Sequence, residues 1–304
     1  MLSTRTRAAV VSVVSNSLLI ILKVAVGLSM GSISVLSEAI HSSNDLLAAL
    51  IAFLSLRVAD RPPDVEHPYG HGKAENVSGT VEAALIIVAG LLILYGAIQK
   101  LYQGPSIQAI DWGIGVMAIS AIVNILVSRY LLRVARQTDS VALEADAQHL
   151  TADVLTSVGV MLGLVAVRIT GLHILDPIIA LGVGAFIIRT GWKVLQRAFR
   201  DLVDTRLPAG EEEVIQRAIQ EHLGEVVNFH DLRTRKAGRE RHIDLHLVMS
   251  HDITIEEAHR LTDHLEEDIK STLPHSSVTI HIEPCNQDCQ ICAARNARCP
   301  KSAG

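Results

Sequence analysis

The chain has 304 residues, of which 49% are hydrophobic and 19% are charged, and its formal net charge at pH 7 is −5. These averages conceal a change near Arg200, because long apolar segments with short polar breaks precede it and dense charge follows it. A helix needs about 20 largely apolar residues to cross the hydrocarbon core of a bilayer. The pattern therefore argues against a large soluble helical protein and predicts a membrane domain followed by a polar one.

Six apolar segments before Arg200 are of spanning length. They lie at 8–30, 33–58, 77–101, 112–134, 142–170 and 175–199. Arg5 and Arg7 precede the first segment, as in a signal peptide, but its apolar run is long, lacks a convincing cleavage site and leads directly into the next segment. We therefore predict a polytopic α-helical membrane protein with six transmembrane helices within residues 1–204.

The positive residues between these segments predict the orientation, because they favour the cytoplasmic side of a membrane. Most of them lie in the segments on one side of the predicted membrane: Arg5, Arg7, Arg57, Arg61, Lys73, Arg129, Arg133, Arg136, Lys193, Arg197 and Arg200. The loops on the other side hold little beyond Lys100 and Arg168. With an even number of spans, both termini and the polar region after Arg200 are expected in the cytoplasm.

Residues 205–284 are predicted to form a C-terminal cytoplasmic α+β domain of ferredoxin-like, metallochaperone-like type. Helices are expected over about 211–223 and from Thr254 to Leu273, and Thr254 and Glu257 have the spacing of a capping box. Strands are expected near 226–236, 240–250 and 278–282. Residues 285–304 are predicted to be a cysteine-containing tail.

Two of the apolar segments contain the same pair of ionisable residues. The second contains His41 and Asp45, and the fifth contains His149 and Asp153. Each pair is spaced four residues apart, which puts both side chains on one helix face. Ionisable residues within a membrane are costly and usually functional. If the two faces meet, they offer two imidazoles and two carboxylates, which suit tetrahedral Zn²⁺. Polar helix–helix contacts or a proton relay without metal are the alternative interpretation.

With these pairs, the chain resembles the cation diffusion facilitator family over nearly its full length. The most specific segments are GSISVLSEAIHSSNDLLAAL, HPYGHGKAEN, DAQHLTADVLTS, LDPIIALGVG and HDLRTRKAG. The resemblance implies a homodimer that exports divalent metal from the cytoplasm in exchange for protons, with His41, Asp45, His149 and Asp153 as the transport site. Two His–Asp pairs resemble the zinc-type branch, and imidazole suits Zn²⁺ better than it suits harder ions. Cd, Co, Ni, Fe and Mn stay open as substrates.

The resemblance implies two further metal sites. Asp64, His67 and His71, in the loop after the second helix, match an accessory site of the family, although a solvated polar loop is an alternative. Five residues of the C-terminal domain match the family's cytoplasmic zinc ligands, which implies that this domain holds the dimer together and binds Zn²⁺ as a structural or regulatory ion. They are His230, His246, His259, His281 and Glu283. Four other histidines have no such match and are expected on the solvated surface: His242, His251, His264 and His275.

The family also pairs a lysine of the loop with an acid after the sixth helix. Here that lysine is Lys73, and the acid is Asp204 or Asp201. All the cysteines lie in the tail: Cys285, Cys289, Cys292 and Cys299. Disulfides are not expected on the cytoplasmic side. Four thiolates can hold one Zn²⁺ or a softer ion, and a flexible reduced tail is the alternative.

The predicted function is zinc efflux by proton antiport with alternating access. Histidine must be neutral and aspartate ionised to bind metal, so protons and metal compete for the site. A membrane metal sensor without transport is an alternative. A metalloenzyme is disfavoured because the HxxxD pairs of this chain lack the glutamate of the HExxH pattern. A channel is disfavoured because four tight ligands would hold an ion too strongly for fast conduction. The expected partners are a second copy, protons and the lipid bilayer, with no nucleic acid. In the family, a long histidine-rich loop between the fourth and fifth helices is typical of eukaryotic zinc transporters. This chain has no such loop, so the resemblance implies a prokaryotic plasma membrane.

Overall fold

The computed structural model describes residues 2–30, 33–103, 113–172, 174–222, 226–250 and 252–285. The chain divides into two compact units, Met1–Arg200 and Asp201–Gly304. The first unit is helical and the second combines helices with a small sheet. This division agrees with the change in composition near Arg200.

The first unit is built from long helices, each of 26 to 31 residues. They are α1 (Thr4–Met30), α2 (Ile33–Ala59), α3 (Lys73–Gln103), α4 (Gly113–Thr138), α5 (Val141–Thr170) and α6 (Leu175–Leu202). At about 1.5 Å per residue each exceeds the roughly 30 Å of hydrocarbon in a bilayer. Among the described residues, five helices are long and apolar enough to cross a membrane, namely α1 to α4 and α6. The remaining helix, α5, contains the second His–Asp pair.

The helices of the first unit expose many large apolar side chains, and many of the residues buried between them are alanines. Leu18, Ile21 and Leu92 are exposed, whereas Ala48 and Ala52 are buried between helices. This distribution fits a lipid surround, because lipid solvates leucine well and small residues let helices approach closely. Helix α1 packs mainly on α2, α4 packs on α5, and α5 also contacts α2 and α3. The fifth helix therefore lies against several neighbours, which positions its polar residues inside the bundle.

The second unit has two helices on one face of a three-stranded sheet. Its elements are α7 (Ala209–Glu221), β1 (Asn228–Ala237), β2 (Glu240–Met249), α8 (Ile255–Thr272) and β3 (Ser276–Pro284). The sheet order is β1-β2-β3, with β1 antiparallel and β3 parallel to the central strand. The Thr254 side chain accepts a hydrogen bond from the Glu257 backbone N–H, and Glu257 accepts one from the Thr254 backbone, which completes the expected capping box.

The core of the second unit lies between the helices and one face of β2. Ile243, Leu245 and Leu247 are buried there, together with Ile219 of α7 and Leu265 of α8. Because side chains alternate along a strand, the even-numbered residues of β2 face away from the helices. His246 therefore lies on the face of β2 opposite this core.

Candidate metal sites

The first site lies inside the helical unit, where α2 meets α5. Asp45 and His149 are only 5% and 8% exposed, and His149 Nε2 lies 3.3 Å from Asp45 Oδ1. Asp153 completes a group in which one ligand atom from each residue lies within 4.8 Å of the others. His41 occurs one helical turn before Asp45 on α2, but its side chain is outside the described residues. The structure thus brings together three of the four predicted ligands.

Neighbouring helices fix the orientation of α2 and α5 around this group. Lys23 of α1 donates a hydrogen bond of 2.7 Å to Ser42 of α2. Ser128 of α4 donates one of 3.0 Å to the backbone carbonyl of Ala147 and lies 2.7 Å from the Thr151 hydroxyl, both on α5. These contacts come from the sides of α2 and α5 that pack against other helices. They limit rotation of both helices about their own axes, and so they preserve the arrangement of the ligands.

Two further acids are buried near this level of the bundle. Asp146 lies one turn before His149 on α5, and Glu82 on α3 is hydrogen bonded to Ser78 at 3.4 Å. Both acids are fully buried. Carboxylates buried in apolar segments are costly and usually functional in a membrane.

The second site is formed by the loop between α2 and α3. His67 Nδ1 lies 3.1 Å from Asp64 Oδ1, and His71 Nε2 lies 3.3 Å from Asp64 Oδ2. The backbone N–H groups of Glu66 and His67 donate hydrogen bonds to Asp64 Oδ1. The bond from the His67 backbone, with the nearby imidazoles, lowers the pKa of the Asp64 carboxyl. A positive φ of 80° at Gly70 turns the chain so that His71 folds back toward Asp64. All three predicted ligands therefore meet.

The third site lies on the face of the small sheet that points away from the helices. Strand pairing aligns His230 with His246 and His246 with His281, so the three imidazoles form one row across the sheet. Glu283 lies two residues beyond His281 on the same face. Its carboxylate is 2.9 Å from His246 Nδ1, 3.3 Å from His230 Nε2 and 3.7 Å from His281 Nε2. Glu283 is therefore the centre of this cluster.

His259 does not belong to the cluster that the described residues form within one chain. It lies on α8, its side chain is 74% exposed, and its ring is 3.5 Å from the Asp263 carboxylate. His259 and Glu283 do line one shallow depression together with Met249, Ile282 and Pro284. The assignment of His259 as a ligand stays a prediction.

The tail and the charge pair are described only in part. Cys285 is buried and packs against Val227 and Val248, so this thiol lies in an apolar environment. The other predicted tail ligands lie outside the described residues: Cys289, Cys292 and Cys299. Lys73 begins α3 in the first unit, and Asp204 lies in the second unit, 3.5 Å from the Arg235 guanidinium. Metal binding by the tail and the pairing of Lys73 with Asp204 both stay predictions.

A fourth group of potential ligands was missed by the sequence analysis. His222, His264 and Asp268 each offer one ligand atom within 4.8 Å of the others. The sequence placed His264 on the solvated surface and gave His222 no role. The available signal was the four-residue spacing of His264 and Asp268, which is the spacing of the pairs in α2 and α5. His222 could not be joined to that pair from the sequence, since more than 40 positions separate it from His264.

Comparison with known proteins assigns both units to one family. The cation efflux transmembrane domain matches residues 9–203, and the cytoplasmic domain of cation efflux proteins matches residues 207–285. The uncharacterized transporter sll1263 of Synechocystis sp. is 37% identical over 84% of this chain and 82% of its own length. The cation-efflux pump FieF of Salmonella newport is 32% identical over 92% of this chain and 93% of its own length.

A solved structure of CzrB in its zinc form is 42% identical over 26% of this chain and 90% of its own length, with a TM-score of 0.25. The two domain matches and the FieF relative rest on sequence over most of the chain. They confirm the predicted fold class, a helical membrane domain followed by a cytoplasmic domain with helices and a small sheet. They also support divalent metal efflux as the general activity. This chain is therefore an integral membrane protein of the cation diffusion facilitator family of cation efflux transporters.

Proposed function

We propose that this protein exports Zn²⁺ from the cytoplasm in exchange for protons, by alternating access of the site between α2 and α5. The observation that supports the proposal best is the grouping of Asp45, His149 and Asp153 inside the membrane domain. Burying ionisable groups in a bilayer is costly, so those that occur there are usually paired and functional. Side chains from two different helices converge here, so a relative movement of the helices can change the side to which the ligands open.

The ligand types favour zinc. One imidazole and two carboxylates are described at the site, and His41 is the proposed fourth ligand. Zn²⁺ is commonly held by four such nitrogen and oxygen ligands, and imidazole suits it better than it suits Mn²⁺ or Mg²⁺. A site for harder ions would carry more carboxylates and fewer histidines. Cadmium and cobalt use similar ligands and are the competing substrates to be measured.

Competition between protons and metal for the same atoms provides the coupling. His149 binds metal only when its ring nitrogen has a free lone pair, and Asp45 and Asp153 bind best when ionised. Protons entering from the outer side would displace the ion and return inward as the empty carrier reorients. Histidine is suited to this exchange because its unperturbed pKa, near 6.5, lies close to physiological pH.

The outer sites then have supporting roles. Asp64, His67 and His71 form a small exposed cluster that can bind cytoplasmic Zn²⁺. The row of His230, His246 and His281 around Glu283 is proposed as a resident zinc site that stabilises a homodimer, with His259 contributing across the depression. On this proposal both termini lie in the cytoplasm of a prokaryotic cell, and the transported ion leaves through its plasma membrane.

Zinc uptake into proteoliposomes tests this function. The purified protein is reconstituted with a pH gradient, and the double variant Asp45→Asn, Asp153→Asn is compared with it. Asparagine preserves the side-chain size and removes the negative charges, so gradient-driven uptake should be lost. Asp176→Asn is the matched control, because Asp176 pairs with Lys100 at the start of α6 and lies outside the site. Zinc binding without flux in the intact protein would favour the sensor, and flux that ignores the gradient would exclude proton coupling.

A further inference from the structure

We propose that His222, His264 and Asp268 form an additional Zn²⁺ site, on the helical face of the cytoplasmic domain. It is separate from the transport site, the loop site and the cluster around Glu283. The proposal does not depend on transport, since it concerns binding to a domain outside the membrane. It rests on the side-chain geometry of these residues, on the hydrogen bond that orients His222, and on their position relative to the sheet.

The three side chains converge at the junction of α7 and α8. His222 Nε2 lies 3.4 Å from Asp268 Oδ2, and His264 Nε2 lies 3.9 Å from the same oxygen. The rings of His222 and His264 are 5.2 Å apart in an edge-to-face arrangement. His264 and Asp268 are one turn apart on α8, so they present their ligand atoms from the same helix face. Both imidazole Nε2 atoms and one carboxylate oxygen therefore surround one point.

His222 is held in the orientation and protonation form that a metal ligand needs. It is the C-cap residue of α7, and its Nδ1 lies 2.8 Å from the Ala218 backbone carbonyl. A carbonyl only accepts hydrogen bonds, so Nδ1 carries the proton and donates it. In the neutral ring, the lone pair is then on Nε2, which is the atom that faces Asp268. Histidine ligands of metals commonly have their other ring nitrogen bound in this way.

Burial differs among the three ligands in a way that suits an open site. The side chain of His222 is 11% exposed, whereas Asp268 and His264 are 42% and 64% exposed. His222 is thus held by its surroundings, whereas Asp268 and His264 can adjust toward an ion that enters from solvent. Two imidazoles and one carboxylate favour Zn²⁺ over Mg²⁺ or Ca²⁺. Water can occupy the remaining position of a tetrahedral ion.

The sheet separates this site from the cluster around Glu283. Helices α7 and α8 pack on the face of β2 that carries Ile243 and Leu245, whereas His246 faces the other way. An ion at His222 therefore cannot share ligands with one at Glu283 in the same domain. It would instead join the C-terminal end of α7 to α8, and would stabilise the domain in proportion to the free zinc concentration.

Zinc counting on the full-length protein tests this proposal. Bound Zn²⁺ per chain is measured after dialysis against a zinc buffer, for the unaltered protein and for His264→Asn. We expect the variant to lose one zinc ion per chain. His275→Asn is the matched control, because His275 is also a half-exposed histidine of the same domain and lies outside the group, and because asparagine tolerates its positive φ of 61°. Equal zinc content in His264→Asn and the unaltered protein would overturn the proposal.

A second measurement needs no variant and therefore does not depend on correct folding of one. Diethyl pyrocarbonate modifies accessible neutral imidazoles, and mass spectrometry locates the modified residues. Zn²⁺ should reduce modification of His264 at least several-fold while His275 stays reactive, and Mg²⁺ should protect neither. Equal modification of His264 with and without Zn²⁺ would show that His222 and Asp268 form only an ion pair. Because these readouts measure binding, they stay informative in the transport-site variant Asp45→Asn, Asp153→Asn.

Discussion

Arg5 and Glu75 form a buried ion pair of 2.6 Å that joins the start of α1 to the start of α3. The same guanidinium is 2.7 Å from the Asp60 carboxylate, just after α2, and the Glu75 carboxylate also accepts a hydrogen bond from Ser140, the N-cap of α5. One cluster thus ties together the ends of four helices. Both helices that carry the proposed transport site, α2 and α5, are anchored by it.

Removing one partner of this cluster should destabilise the membrane domain. Arg5→Met leaves the Glu75 carboxylate buried without its cation, and such a loss typically costs about 3–5 kcal/mol. Thermal unfolding in detergent should show a clear decrease in Tm. The matched control is Lys100→Met, which breaks the more exposed pair with Asp176 and should cost less than about 1 kcal/mol. The double variant Arg5→Met, Glu75→Met should recover part of the loss. Equal decreases in Tm for Arg5→Met and Lys100→Met would contradict this role.

The close approach of α3 and α6 should depend on glycine at position 90. A Cβ atom at Gly90 would lie 2.6 Å from Ile188 Cγ1 and 3.2 Å from the Gly184 carbonyl oxygen, so Gly90→Ala requires the helices to move apart. We expect a lower Tm and a smaller yield of folded protein. Gly96→Ala is the control on the same helix, because nothing lies within 4 Å of its Cβ position. It should be neutral or stabilising, since alanine favours helix by about 1 kcal/mol over glycine.

His149 should control the choice of metal. His149→Asp replaces an imidazole by a harder oxygen ligand beside Asp45 and Asp153, which should lower zinc uptake and raise the relative uptake of Mn²⁺. The measurement is competition between the two ions in proteoliposomes under the same pH gradient. His275→Asp, in the cytoplasmic domain, controls for loss of a histidine elsewhere. An unchanged ratio of zinc to manganese in His149→Asp would mean that His149 is not a ligand.

The stability of the cytoplasmic domain should fall in acid partly through His242. Burial, and next the Arg235 guanidinium, lower the pKa of His242 below its ordinary value of 6.5. The folded state therefore binds this proton less readily than the unfolded state. The contribution of neutral His242 to the free energy of unfolding is fully present above about pH 6.5. It is lost as the pH falls through the lowered pKa of the folded state.

Hydrogen exchange of the β2 amides in the full-length protein measures this effect. With a chelator present and with correction for intrinsic exchange rates, protection should decrease below about pH 6.5. His242→Gln cannot gain the proton and should show a weaker decrease. The exposed residue His275 provides the control His275→Gln, which should follow the unaltered protein. Identical pH profiles for His242→Gln and the unaltered protein would exclude His242 as a cause.

Local patterns were sufficient to predict the general plan of the molecule. Apolar length predicted the long helices, and the composition after Arg200 predicted a separate α+β domain, because burial in lipid and burial in a small core need different amounts of apolar surface. The spacing of four residues placed Asp45 one turn from His41, and His149 one turn from Asp153, since both pairs lie within single helices. The predicted strand near 240–250 also includes His246, and side chains alternate between the two faces of a strand.

Contacts between distant parts of the chain required the tertiary structure. Strand register decided that His230, His246 and His281 form one row, because a shift by one residue would send a side chain to the other face. Packing of α7 on α8 brought His222 to Asp268, and helix packing placed Arg5 beside Glu75. The sequence determined which residues could bind metal or charge, through periodicities that extend only a few residues. Only folding decided which of them meet, because those contacts depend on packing between elements that are far apart in the chain.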